Sequence, residues 1–225
     1  DGPGAGDRRI RMYRKHDNNR KRRSGTVFML GGLLLFAAAL FLTGYNLWDE
    51  QRAGDAVAAI LEQMSALQGR AQEGLGATGG QDQEVPDYVR NPDMEMPTVQ
   101  IDGEAYIGVL EFPSLSVSLP VISDWSAAKL RTAPCRYTGS AYRDNLVIAG
   151  HNYRTHLGKL QNLSLGDPVL FFDADGNQFA YEVAGVEELD STAIEEMVTG
   201  DWDLTLFTYT HSGQTRFTVR CIRSE

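Results

Sequence analysis

The stretch Leu204-Thr205-Leu206-Phe207-Thr208-Tyr209-Thr210-His211-Ser212-Gly213-Gln214-Thr215-Arg216-Phe217-Thr218-Val219 decides how the chain folds. Two runs rich in β-branched and aromatic residues flank a polar turn that contains glycine, so the stretch reads as a hairpin. Arg216 lies just past the turn, where its guanidinium can reach the end of the first strand. A guanidinium there can stabilise an oxyanion, and the alternative is a solvated strand arginine. Upstream, Leu146-Val147-Ile148-Ala149 is an apolar run that ends in Gly150, with His151 and Asn152 next. A titratable group at the end of a buried strand is where a barrel presents a site.

Further strand-like runs surround these two. Tyr106–Phe112 and Leu115–Ile122 flank Pro113-Ser114, and Pro168–Phe172 and Gln178–Val186 flank the turn 173–177. Residues 190–198 suit one short helix. Seven or eight short strands with few helices predict a mostly β domain, a small closed barrel or a sandwich.

The N-terminal part differs. The 225 residues carry 21 Lys+Arg against 30 Asp+Glu, a formal net charge of -9, and 42% are hydrophobic. Residues 1–25 hold nine basic and three acidic residues, so they are net +6, while the remainder is net -15. Thr26 to Trp48 follows with no charged residue. As a helix it would span roughly 35 Å, enough for a hydrocarbon core of about 30 Å. By the positive-inside rule residues 1–25 face the cytoplasm and residues from 49 lie outside. A cleaved signal peptide is the competing reading. The length of the run and the lack of a small-x-small site stand against it. The basic head is explained by this span and an anionic inner leaflet, so no nucleic-acid partner is implied.

Val57, Ile60, Leu61, Met64 and Leu67 recur at helical spacing, which predicts an amphipathic helix that packs on the domain or a partner, or continues as a stalk. Residues 68–97 are rich in Gly and Pro and read as a linker. The GxGxxG match at Gly74, Gly76 and Gly79 has no strand before it, so it implies no dinucleotide site. Cys135 and Cys221 are too few for a disulfide framework, and no spacing with His151 or His156 suits a metal. No cofactor is implied.

With these residues in place, the chain resembles the sortase family over about residues 98–225. Val147-Ile148-Ala149-Gly150-His151-Asn152 is similar to the sortase histidine motif. Leu204–Thr208, followed by Arg216, is similar to the TLxTC…R motif. Tyr137-Thr138-Gly139-Ser140 matches a Y-x-G-[ST] segment, and Gly150–His156 resembles class B-like sortases of clostridia. The resemblance implies a sortase-like closed β-barrel of about eight strands with short helices, preceded by one transmembrane helix. The expected organisation is a cytoplasmic tail (1–25), a signal-anchor helix (26–48), an extracellular helix and linker (49–97) and the barrel domain (98–225). The implied place is the cell membrane of a Gram-positive cell, with a single pass and the C-terminal domain outside. The implied activity is cysteine transpeptidation of LPXTG-like sorting signals of surface proteins. A cell-wall precursor or pilin amine is the acceptor. His151 would be the general acid/base and Arg216 would stabilise the oxyanion.

The chain departs from the family at the nucleophile, because Tyr209 holds the cysteine position. A thiol has a pKa of about 8.5 and a phenol of about 10, and the phenol ring is larger. Ordinary turnover through Tyr209 is therefore not expected. The chain is then either a sortase whose nucleophile has been replaced or a natural pseudo-sortase that binds sorting peptides or a partner sortase. Asn152, Thr208 and His211 are expected as accessory residues, with His211 a second base or an exposed loop residue. Cys221 should face away from Arg216, five residues distant on the same strand.

Overall fold

The computed structural model describes residues 6–75, 85–210 and 213–224, with side chains described for 27–66, 85–210 and 213–224. Gly76 and Gly79 of the glycine match, and His211 and Ser212, lie outside the described residues. The chain divides into two compact units, Asp1–Asp49 and Glu50–Glu225.

Helix α1 (Gly6–Leu75) begins in the first unit. Residues 27–48 are all exposed, as an uncharged apolar run must be when no protein covers it. Among the described residues one helix is long and apolar enough to cross a membrane, within Val27–Ala66 at a mean hydropathy of 2.3. In the second unit the character of α1 changes. Ala53, Val57, Ile60 and Met64 are buried at spacings of four, three and four, which sets them on one face. The helical segment expected from periodicity thus packs on its own domain.

The remainder is a closed barrel. Its strands are β1 (Val99–Ile101), β2 (Glu104–Phe112), β3 (Val117–Ile122), β4 (Cys135–Thr138), β5 (Leu146–Gly150), β6 (Pro168–Asp173), β7 (Gln178–Asp190), β8 (Leu204–Tyr209) and β9 (Thr215–Arg223). They follow the order β1-β2-β3-β4-β5-β8-β9-β7-β6, and β6 also pairs with β2. Eight strands therefore close on themselves and β1 lies outside the circuit. Closure removes the free edges that an open sheet would expose. Only β3–β4 and β5–β8 are parallel.

Alternation along the strands divides the apolar residues into two cores. Leu146, Ile148, Leu204, Leu206, Val219 and Cys221 fill the barrel with Phe171, Phe179 and Tyr181. Val147, Ala149 and Phe207 face outward, where Ile60 and Met64 of α1 and Met197 cover them. Cys221 thus lies inside the barrel, away from Arg216, as its odd spacing required.

Several boundaries differ from the sequence reading. β1 and β4 are short strands that carry little alternation to detect. β7 runs on to Asp190 through an irregularity between Val183 and Gly185, and the expected helix shrinks to α3 (Ile194–Val198). Asp190 ends the strand by accepting both the backbone N–H and the hydroxyl of Thr192, at 2.8 and 2.6 Å. Residues 68–75 continue α1, consistent with the helix formers Gln68, Arg70, Ala71, Gln72 and Glu73. Helix α2 (Asp87–Arg90) and the chain after it lie on the barrel, with Tyr88 stacked 4.6 Å from Tyr142 and Met96 buried.

The Tyr137–Ser140 segment has a structural reason. Gly139 has φ +78, and a Cβ there would lie 1.9 Å from the Asn145 carbonyl oxygen. Ser140 then accepts the Tyr142 N–H at 3.1 Å. The result is a tight β4–β5 connection that aims β5 at the site.

Burial of Met64 makes the α1 packing testable. Met64→Ala should lower the stability of the second unit by about 2–5 kcal/mol, read by urea denaturation of the full chain in detergent. An unchanged midpoint would show that α1 does not pack on the barrel.

Candidate active site

The site is set by strand register. β5 and β8 run parallel, and Gly150 pairs with Thr208. His151 comes directly after Gly150, just past the end of β5. β8 and β9 are antiparallel, and Tyr209 pairs directly with Arg216. Tyr209 and Arg216 are therefore paired neighbours on β8 and β9, and His151 follows the end of the adjacent strand β5.

Arg216 is 6% exposed, and its guanidinium has weak partners. Nη2 donates to the Tyr209 hydroxyl oxygen at 3.3 Å, and Nη1 lies 3.8 Å from the Met197 Sδ. The Tyr209 and Phe207 rings flank it at 5.2 and 5.5 Å. Among the described residues no carboxylate pairs with it, and its buried Nε has no acceptor. A buried cation with an unmet donor can receive negative charge that develops on a bound group. Tyr209 ends β8, 36% exposed, with its ring over this cation.

His151 is half-buried and stacks on Tyr153, with ring centroids 3.7 Å apart and planes inclined by 22°. Tyr153 in turn meets His156 edge-on at 5.3 Å. His156 is 1% exposed. Burial, and then the charge of nearby His151, push its pKa down to about 4, so His156 is neutral at physiological pH. Its neutral ring packs edge-on against Tyr153 beneath the loop. α1 fastens the same loop from outside: Glu50 Oε1 accepts the Arg154 N–H at 2.8 Å, and the Glu50 carbonyl accepts the Thr155 hydroxyl at 3.4 Å.

Asn152 and Thr208, expected as accessory residues, line a cleft of about 400 Å³ with Gln161, Glu188, Tyr209 and Phe217. His151 and Arg216 do not line it. His211 lies outside the described residues. Tyr153, Met197 and Glu50 were missed by the sequence reading. The Gly150–His156 spacing pointed toward Tyr153. Nothing local signals Met197 or Glu50, since both reach the site across the fold.

Cys135 and Cys221 are free and buried, and burial pushes both thiols up to about 12. No group of three or more metal-ligating side chains occurs among the described residues.

Residues 110–223, half of the chain, match the sequence pattern of the sortase domain family. The chain belongs to the sortase family. Sortase A of Bacillus anthracis is 27% identical over 107 residues, which cover 45% of this chain. The chain spans about half the length of that curated relative. The fold is similar to that of Clostridium perfringens sortase C, solved with the C-terminal cell wall sorting motif. The TM-score is 0.52 at 21% identity, covering 72% of this chain and 99% of that one. Sortase C1 of Streptococcus agalactiae gives a TM-score of 0.50 at 17% identity, over 73% of this chain and 90% of that one. These sortases are called A and C, so they do not single out the class B-like subtype suggested by residues 150–156.

The two buried thiols give a direct check. Native full-length chain treated with iodoacetamide at about pH 8 should leave Cys135 and Cys221 unmodified by mass spectrometry, and urea should expose both. Rapid labelling of either in the native chain would return it to consideration as a nucleophile.

Proposed function

We propose that this sortase-family protein is held in the cell membrane by its N-terminal apolar helix, with residues 1–25 cytoplasmic and the barrel outside. Its ligand is an LPXTG-like sorting-signal peptide bound at His151, Tyr209 and Arg216. A peptide of this class is supported by the family and by the sortase C solved with the C-terminal cell wall sorting motif. In the family reaction a cysteine thiolate attacks the peptide carbonyl and an acyl-enzyme forms. The amine of a cell-wall precursor or pilin then attacks the thioester and releases the thiol. His151 would protonate the first leaving amine and deprotonate the second, and Arg216 would hold the oxyanion.

The observation that carries the reading is the contact between Arg216 and Tyr209. The Arg216 guanidinium, the oxyanion donor in this reading, is buried, and its Nη2 donates to a phenol oxygen at 3.3 Å where the family has sulfur. A phenol is a weaker source of anion than a thiol at neutral pH. The chain as it stands is thus a sorting-peptide binder without an efficient nucleophile. A replaced nucleophile and a natural pseudo-sortase are two histories of this same chemistry.

The test uses full-length chain in membrane vesicles, as it stands and as Tyr209→Cys. Labelled LPXTG-type peptides report binding by anisotropy and cleavage by release of a quencher. Both chains should bind. Only Tyr209→Cys should cleave, and adding Arg216→Ala should slow that cleavage by about 10²-fold or more. Cleavage by the unchanged chain, or binding by neither, would overturn the proposal.

A further inference from the structure

A second buried arginine lies on the same outer face, four residues along β9. Arg220 is 3% exposed, and its donors are well used. Nε donates to Glu187 Oε1 at 2.7 Å, where Glu187 stands on β7 beside Thr218. Nη1 donates to the Met197 carbonyl at 2.8 Å and to the Thr205 hydroxyl at 3.0 Å. Nη2 donates to the Glu196 carbonyl at 2.7 Å. Two of these acceptors are backbone carbonyls of α3, the five-residue helix between β7 and β8.

That helix has little else to hold it. Met197 is its only buried residue, while Ile194 and Val198 are exposed. A helix this short is not stable by itself. Met197 is fully buried, and its sulfur is the atom that meets the Arg216 Nη1 at 3.8 Å. The contacts form one chain: Glu187 holds Arg220, Arg220 holds the Met197 backbone, and the Met197 side chain packs against the Arg216 guanidinium. Lysine could not reproduce this. One ammonium lacks the planar fork that reaches Glu187 on one side and two helix carbonyls on the other.

We propose that Arg220, paired with Glu187, is a positioning residue that fixes Arg216 through α3 and Met197. This rests on the reading of Arg216 as the group that faces the reacting carbonyl. Arg220 touches no substrate. Its four acceptors keep its charge occupied, whereas Arg216 keeps an unmet Nε. When the clamp is loosened, α3 moves off the sheet, and water and new rotamers reach Arg216.

The test places a reporter thiol beside Arg216 and needs no peptide. In full-length Tyr209→Cys chain, the pH dependence of iodoacetamide alkylation gives the apparent pKa of the introduced thiol. Arg216→Ala should raise it, because a neighbouring cation favours the thiolate. Arg220→Lys should also raise it, by about one unit, a tenfold loss of thiolate at a pH below the pKa. Glu187→Gln should move it the same way by less. Arg220→Lys combined with Met197→Ala should add little to either change alone. Protection of Cys135 and Cys221 in the same digests reports that each variant is folded. If Arg220→Lys exposes them, Glu187→Gln, on a half-exposed side chain, carries the test. A pKa that moves with Arg216→Ala but stays fixed with Arg220→Lys and Glu187→Gln would overturn the clamp and leave the site reading standing. A pKa indifferent to Arg216→Ala would remove the site reading itself.

Discussion

The parallel pairing of β5 with β8 is the constraint on which the rest depends. Parallel neighbours need a long crossover, and here β6, β7 and α3 supply it between Gly150 and Leu204. The crossover brings the ends of β5 and β8 to the same level, and β9 returns antiparallel beside them. A register slip of one residue would turn Tyr209 or Arg216 into the barrel, because side chains alternate between faces. The tightly packed interior, with Leu146, Ile148, Leu204, Leu206 and Val219 all buried, opposes such a slip. The barrel core therefore fixes the register that pairs Tyr209 with Arg216.

The outer face carries polar groups that a sheet surface normally leaves to water. Arg216, Thr218 and Arg220 follow one another along it, all buried. Taking a guanidinium out of water costs several kcal/mol unless its donors are met. Arg220 meets the cost with a carboxylate, a hydroxyl and two carbonyls. Arg216 has a phenol oxygen, a thioether and two aromatic faces. Two like residues four positions apart are thus treated in opposite ways. The fully satisfied one is structural, and the under-satisfied one is the one able to respond to a ligand.

Much of this was legible in the sequence, for identifiable reasons. The strands around His151 and Arg216 were readable because each pairs a continuous β-rich run with a polar terminus. The faces of Cys221 and Arg216 followed from parity alone. The burial of Val57, Ile60 and Met64 followed from helical periodicity, although the periodicity did not say what covers them. β4 was not readable as a strand, since it has only four residues and Gly139 follows at once. The Met197 contact with Arg216 could not be read at all, because nineteen residues separate them and a strand, a turn and a short helix intervene. The Glu50 bond to the Arg154 N–H joins positions 104 residues apart.

Tyr209 shows why resemblance of fold and identity of chemistry part company. Its side chain belongs to neither hydrophobic core, and it stands at a strand end where more than a third of its surface is open. A change of side chain at this position therefore costs the scaffold little. The register, both cores, the His151 stack and the buried guanidinium all persist around it. Sequence and fold similarity report that scaffold. Bond-making depends instead on one atom, a sulfur or a phenol oxygen, placed against Arg216. The phenol takes a hydrogen bond from Arg216 Nη2, the donor that the proposed function assigns to the oxyanion. A ligand that reaches Arg216 must first displace this contact. Under the proposed function, peptide affinity and chemical competence therefore meet at this single strand position.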